Sequence, residues 1–309
     1  PDGVQAIKNG AFDYITKGDD NNKILPLLSR ATEKAQMQRR LARLEDKLSE
    51  EHSFDRIIGS SEALRSAVAL ARKVAVTDTS VLLTGETGTG KEVFAQAIHH
   101  ASPRAKGAFV AVNCSAFSKE LLESELFGHR AGSFTGPTKD KKGLFEEADK
   151  GTLFLDEIGN LPPHLQSKLL TAIQGGRIFR VGSNTPVAVD IRLICATNRD
   201  LFGMVAGGEF REDLLYRINT IHIDLPPLRQ RREDILPLAE MFLKRYATKY
   251  NKPIEGFDQA AVREMDEYPW AGNIRELQHT VEKAVIMSDG RRITPATLLL
   301  RPAPAAVQA

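Results

Sequence analysis

Lys91 ends the stretch GETGTGK, which satisfies the spacing G-x-x-x-x-G-K and is followed by Glu92. Gly85, Gly88 and Gly90 can take positive φ and let backbone amides approach phosphate oxygens, with Glu86, Thr87 and Thr89 between them. Lys91 would reach the β- and γ-phosphates, and the helical pattern that follows adds the partial charge of a helix N-terminus. Where such loops carry a hydroxyl after the lysine, this chain has Glu92. A carboxylate mimics that hydroxyl poorly, so a magnesium ion must lean on other residues. A second element, GTLFLDE, places Asp156 and Glu157 at the end of an apolar run. One acid there can hold Mg2+. The other can orient and deprotonate the attacking water. The chemistry implied is ATP hydrolysis, with ATP and Mg2+ as cofactors. A protein-kinase site is excluded, because the H-R-D and D-F-G elements are missing. The bland alternatives are a glycine-rich turn that binds nothing and two acids that merely cap a strand.

Elements must bring the loop and the acids together. VLLTG (81–85), FVAVNC (109–114), TLFLDE (152–157) and IRLICATN (191–198) are near-continuous apolar runs. Such runs suit parallel strands buried on both faces. Helical patterns over 62–75, 91–101, 118–127 and 163–175 suit the crossovers, giving a doubly wound α/β pattern. Loop and acids then sit at C-terminal strand ends facing one crevice. After PPLRQRREDI the pattern is all helical from about 233 to 288, with Pro226-Pro227 as the natural hinge. Residues 23–50 read as one helix, in which Met37, Leu41, Leu44 and Leu48 make about two heptads of an a/d seam. That seam is either a solvated stripe or a short coiled coil pairing two subunits.

Bulk numbers limit the partners. The 42 basic and 40 acidic residues leave a formal charge of +2, unlike a chain that is mainly a nucleic-acid clamp. Two cysteines in apolar runs fit a reducing cytosol. No apolar run approaches a membrane span. The chain opens at Pro1 without an initiator methionine, so a fragment of a longer protein is expected.

The segments IIGSSEAL, GETGTGKE, FVAVNCSAF, ELFGHRAGSFTGP, GTLFLDEIGNLP, RVGS, ICATNRDL, FREDLLYRIN, DLPPLRQRREDI and WAGNIRELQ run in order from Ile57 to Leu277. In that order they resemble the AAA+ domain of bacterial sigma-54-dependent transcriptional activators, the enhancer-binding proteins. The resemblance implies a P-loop ATPase core with a helical lid, working as a hexameric ring that remodels sigma-54 RNA polymerase in the bacterial cytoplasm. Position by position, it makes Gly85 to Glu92 the nucleotide loop, Asp156 the Mg2+ acid and Glu157 the catalytic acid. Asn113 would hold that glutamate in a waiting position. Thr197 and Asn198 would sense the γ-phosphate. Arg211 and Arg217 would be supplied to a neighbour's nucleotide, and Arg275 would contact nucleotide from the lid. Without the resemblance, Arg211 and Arg217 belong to an ordinary charged helix, with Asp213 and Arg217 at i, i+4. Arg275 would then pair with a nearby carboxylate.

The same resemblance makes GSFTGP the loop that touches sigma-54, with Phe134 and Thr135 as its contact residues. An exposed aromatic on a flexible stem suits such a contact. Ser133 and Pro137 depart from the family's GAFTGA. Pro137 removes a donor and fixes φ beside the loop, which leaves open a client other than sigma-54. A nucleotide-gated dimerisation module without enzymatic activity is the third reading. AIKNGAFDYITKGDD resembles the end of a receiver domain, Lys17 matching the lysine near the phosphoryl group and Tyr14 the switching aromatic, with Gly18 in place of proline. A phosphoacceptor upstream, a sensor kinase, a linker dimer and DNA binding through a domain beyond this chain follow as expectations. The expected domains are a receiver end (1–30), a linker helix (31–53), an α/β ATPase subdomain (54–227), a helical lid (228–301) and a tail (302–309).

Overall fold

The computed structural model describes Gln5, residues 24–133 and residues 139–300. It separates into two units, residues 1–51 and 52–309. In the first unit a single helix, α1, runs Ile24–Glu51. None of its described side chains is buried, and Met37 is 70% exposed. The side chains of Leu41, Leu44 and Leu48, and the residues Tyr14, Lys17 and Gly18, lie outside the described residues.

The second unit opens with α2 (Glu62–Ala75), capped by Ser61, whose hydroxyl accepts the Leu64 amide. Then come β1 (Val81–Thr84), α3 (Lys91–His100), β2 (Phe109–Asn113), α4 (Lys119–Phe127), α5 (Leu144–Glu147) and β3 (Thr152–Asp156). These are followed by α6 (Pro163–Gly175), β4 (Arg177–Phe179), β5 (Pro186–Ala188), β6 (Arg192–Thr197), α7 (Leu201–Ala206), α8 (Glu212–Ile218) and β7 (Ile221–Asp224). Five strands form one parallel sheet in the order β2-β3-β6-β1-β7. Side chains alternate across a strand, so consecutive apolar residues go to opposite faces. Leu82, Leu155, Leu193 and Cys195 join Phe127, Leu165, Leu169 and Leu214 on one face. Val81, Leu83, Phe154, Ile194 and Ala196 join Phe94, Ile98 and the α2 residues Leu64, Ala71 and Val74 on the other.

The four strands expected from apolar runs all form. β7 is an addition: it lies at the sheet edge, pairs with β1 alone and alternates in burial, so its sequence IHID carries no apolar run. β4 and β5 form a separate antiparallel hairpin of three residues per strand. The remaining elements are α9 (Ile235–Lys249), β8 (Gly256–Phe257), α10 (Gln259–Glu267), α11 (Asn273–Met287), β9 (Arg292–Ile293) and α12 (Pro295–Leu298). They pack around Trp270, Leu277, Val281 and Phe242. The expectation of helix throughout 233–288 is corrected by β8, which pairs in parallel with β9. Phe257 and Ile293 are both buried there, and the short pairing satisfies backbone between helices. Among the described residues no helix is long and apolar enough to cross a membrane.

Lid and core are joined before the site begins. Asp234, fully buried, accepts the amides of Ser60 and Ser61 (2.6 and 3.1 Å) and the Ser61 hydroxyl (2.6 Å). Gly59 lies at φ 147°, and a Cβ there would come within 2.6 Å of an Asp234 carboxylate oxygen. Only glycine lets the backbone approach the acid so closely.

His99 of α3 is 1% exposed, with Nδ1 2.8 Å from the Thr152 hydroxyl of β3. Burial, aided by the nearby His100 and Arg192, lowers its pKa to about 4. The unfolded chain therefore takes up this proton first, between its ordinary value near pH 6.5 and pH 4. Stability present above pH 6.5 should fall as pH drops through that window, by up to about 3 kcal/mol. Urea unfolding at stepped pH should show this slope flattened in His99→Gln. An unchanged slope would remove His99 as its source.

Candidate active site

Three of the five sheet strands end at the candidate site and a fourth, β6, ends beside it. β1 runs into the loop 85–90, β3 into Asp156 and Glu157, β2 into Asn113, and β6 into Thr197 and Asn198. Parallel register aligns these ends, with Asn113 opposite Asp156 and Thr84 opposite Thr197. A cleft there is lined by Thr87, Gly88, Gly90, Lys91, Glu92, Val93, Asn113, Asp156, Glu157, Ile274, Arg275 and Gln278. The structure thus gathers the phosphate-loop, acid and lid residues expected from sequence around one cavity of about 340 Å³.

Lys91 begins α3 and is 7% exposed. Its ammonium donates to the carbonyls of Gly85 (2.8 Å) and Glu86 (3.1 Å). Burial pushes its pKa below the ordinary value, against the opposing pull of the Glu157 and Asp156 carboxylates. Glu157 takes φ 54°, left-handed for a non-glycine residue, at the start of a one-turn 3-10 helix over Ile158–Asn160. Its amide donates to Asp156 Oδ1 (3.0 Å). Such conformations are costly and persist where surroundings hold them, commonly at functional sites. Glu92 is exposed and bonds only loosely to Gln96 (3.4 Å).

Other expected residues divide. The Asn113 amide oxygen accepts from the Ser115 amide (2.8 Å) and hydroxyl (2.5 Å), so it is turned to its own strand end. Asn198 donates to the Thr87 hydroxyl (3.0 Å), binding the β6 end to the loop. Thr197 is fully buried, and its hydroxyl accepts the Arg199 amide. Arg275 projects from α11 into the cleft and, among the described residues, makes no ion pair. Arg211 and Arg217 do not line the cleft. Arg211 stands at the N-terminal boundary of α8 and forks onto Asp213 (2.7 and 3.0 Å). The i, i+4 pairing of Asp213 with Arg217 expected from spacing does not form, because Asp213 is already engaged by Arg211. The exposed Arg217 side chain has no partner among the described residues.

The lid's bonds to the loop come from residues the sequence did not single out. Asn273, fully buried, accepts the Leu228 amide (2.7 Å) and donates to Glu86 Oε2 (3.2 Å) and the Thr87 carbonyl (3.0 Å). The Ile274 amide donates to the Gly88 carbonyl (3.0 Å), and Arg231 donates to the Thr89 carbonyl (3.0 Å). Gly88 lies at φ 82°, and a Cβ there would stand 2.3 Å from the Gly272 carbonyl oxygen. The only sequence hint was the contiguity of GNIREL and LRQRRED with motifs already marked.

Phe134, Thr135 and Pro137 lie outside the described residues; the stem of their loop does not. His129 and Lys141 exchange backbone bonds (3.0 Å each), and Arg130 pairs with Asp140 across the stem. The Arg130 amide donates to Val181 beyond β4, and Arg180 forks onto Glu146 of α5 (2.6 and 2.8 Å). Loop stem and hairpin are therefore one hydrogen-bonded unit.

Residues 57–224 match the family model of the sigma-54 interaction domain, and residues 229–306 match that of an AAA+ ATPase lid domain. The chain is 46% identical over 287 residues to the regulatory protein AtoC of Escherichia coli, across 93% of this chain and 62% of that protein. It is 47% identical over 284 residues to the alginate biosynthesis transcriptional regulatory protein AlgB of Pseudomonas aeruginosa, across 92% of this chain and 63% of the relative. It spans less than two thirds of the length of these relatives. NtrX from Brucella abortus, crystallised in complex with ADP, superposes with a TM-score of 0.77 at 34% identity, over 95% of this chain and 63% of that one. A RuvB mutant from Thermotoga maritima shares the fold alone, with a TM-score of 0.51 at 19% identity.

Removing the Asn273 side chain would leave the buried Leu228 amide without a partner and release the Thr87 carbonyl. Asn273→Ala should cost about 1–3 kcal/mol in urea unfolding. A midpoint shift below about 0.5 kcal/mol would contradict the role given to this amide.

Proposed function

We propose a function from one premise: the chain belongs to the sigma-54 interaction domain family and carries its AAA+ lid. It binds ATP in the cleft, hydrolyses it to ADP and phosphate, and uses the cycle to remodel sigma-54 RNA polymerase as the ATPase part of a two-component transcriptional activator in the bacterial cytoplasm. The carrying observation is the meeting of Lys91, Asp156, Glu157 and Arg275 around one cleft at the ends of parallel strands.

In this reading the loop amides and Lys91 receive the β- and γ-phosphates, and Lys91 leaves the carbonyls of Gly85 and Glu86 to do so. Asp156 fits a magnesium ion, since it is a partly exposed carboxylate facing the phosphate side of the cleft. With Glu92 in the hydroxyl's place, Asp156 is the residue of this chain that would hold the ion. When bound, magnesium would neutralise charge on the phosphates. Glu157 takes the proton from the attacking water. Asn113 must turn away from Ser115 to hold Glu157 back. Asn198, already bonded to Thr87, senses the γ-phosphate with Thr197 behind it. Arg275 contacts the phosphates from the lid.

Arg211 and Arg217 lie off the chain's own cleft, so their charges reach phosphate only in another copy. We therefore read the working form as a ring, with hexamers the family's expected size and the linker helix pairing subunits. Receiver, kinase and DNA contacts belong to the longer protein. Phe134 and Thr135 are the proposed sigma-54 contacts, on a stem fixed to the β4–β5 hairpin.

Glu157→Gln should retain ATP binding and lose turnover by roughly 10²-fold or more. Retained turnover would remove Glu157 as the base. Arg217→Ala should also be inactive, but mixing it with Lys91→Ala chains should restore part of the turnover, one supplying the intact site and the other the arginine. Mixtures as inactive as their parts would argue against arginines acting between subunits. Capture of sigma-54 with an ATP transition-state mimic tests the client. Turnover without capture would assign the loop to another partner.

A further inference from the structure

Glu86 is a carboxylate within the loop that the reading above gives to phosphate. An uncancelled negative charge there repels a polyanion. Arg229, in the one-turn 3-10 helix Leu228–Gln230 that opens the lid, meets it fork to fork. Nη1 lies 2.7 Å from Oε2, and Nη2 lies 2.6 Å from Oε1. The Arg229 guanidinium, with help from Asn273, holds the Glu86 carboxyl below its usual range, so the acid stays charged. Its backbone carbonyl meanwhile accepts from Lys91. Both side chains of the ion pair are 42% exposed. A pair so exposed adds little to folding stability. Its place in the phosphate loop sets it apart from other surface pairs.

We propose that Arg229 is a positioning residue of the nucleotide site, acting through Glu86: it cancels the carboxylate so that the polyphosphate meets a loop without net negative charge. The proposal rests on the nucleotide-binding reading. It assigns to the lid a second arginine besides Arg275, one that works on the loop and not on the nucleotide. It also accounts for an acid in an anion site. Glu86 secures the lid to the loop through Arg229 and Asn273, and Arg229 removes the electrostatic penalty.

The test titrates a fluorescent ATP analogue with magnesium chloride into the chain and into Arg229→Gln, Glu86→Gln and the double variant. Arg229→Gln should bind roughly three- to tenfold more weakly, the scale of a screened charge near a triphosphate. Adding Glu86→Gln to Arg229→Gln should recover most of the lost affinity, because no bare carboxylate remains, and Glu86→Gln alone, which leaves the guanidinium uncancelled, should bind more tightly than Arg229→Gln. The defect of Arg229→Gln should shrink as salt brings the Debye length from about 10 Å to about 3 Å. Arg229→Gln binding like the parent would overturn the proposal. So would a double variant as weak as Arg229→Gln, which would mark the pair as purely structural. A parent chain that binds no nucleotide would overturn the underlying reading, and this inference with it.

Discussion

Residues 86 to 89 of the phosphate loop each take a hydrogen bond from the lid, and the buried Asn273 amide makes two of those bonds while also fixing the first residue of the lid. A loop with three glycines loses more backbone entropy on ordering than the same loop built of other residues. Held by the lid, it is already ordered before a ligand arrives. Such preorganisation shifts the ordering cost from binding to folding. Gly88 follows from the same constraint, since a side chain there would collide with the backbone of Gly272.

The junction continues away from the nucleotide cleft. Asp234 gathers Ser60 and Ser61, and Arg231 reaches the Thr89 carbonyl, so one stretch after Pro227 touches the N-terminal loop, the phosphate loop and α11's first residue. A movement of the lid would be felt at each of these points. The expected hinge at Pro226-Pro227 is therefore followed at once by residues bonded to the core. On the far side of the sheet, Arg180 and Glu146 tie the β4–β5 hairpin to the helix that precedes β3, the strand carrying both acids.

The core was legible because its chemistry is local. Three of the four strands are apolar runs buried on both faces, β2 is an apolar run at the sheet edge in which only Val112 is fully buried, and each ends in a motif contained in a few consecutive residues. β7 escaped because its IHID alternates apolar and polar residues, and the β4–β5 hairpin because three residues carry no period. The lid contacts escaped for a different reason. Glu86 is 143 residues from Arg229 and 187 from Asn273, and Ser60 is 174 from Asp234. No pattern within one segment encodes such pairs. In this conformation the Asn113 amide oxygen accepts both bonds from Ser115, two residues away, and among the described residues it makes no bond to Glu157. Short-range bonds of this kind compete with any distant one.

The cleft of one chain contains a phosphate loop, a lysine, two acids and a lid arginine, whereas Arg211 and Arg217 face elsewhere. The proposed ATPase is therefore complete only in an assembly. ATP turnover per chain, measured against protein concentration with light scattering on the same samples, tests that claim most directly. Turnover should climb steeply as small species give way to rings. Turnover per chain that stays constant from monomer upward would contradict the account and return both arginines to structural roles on α8.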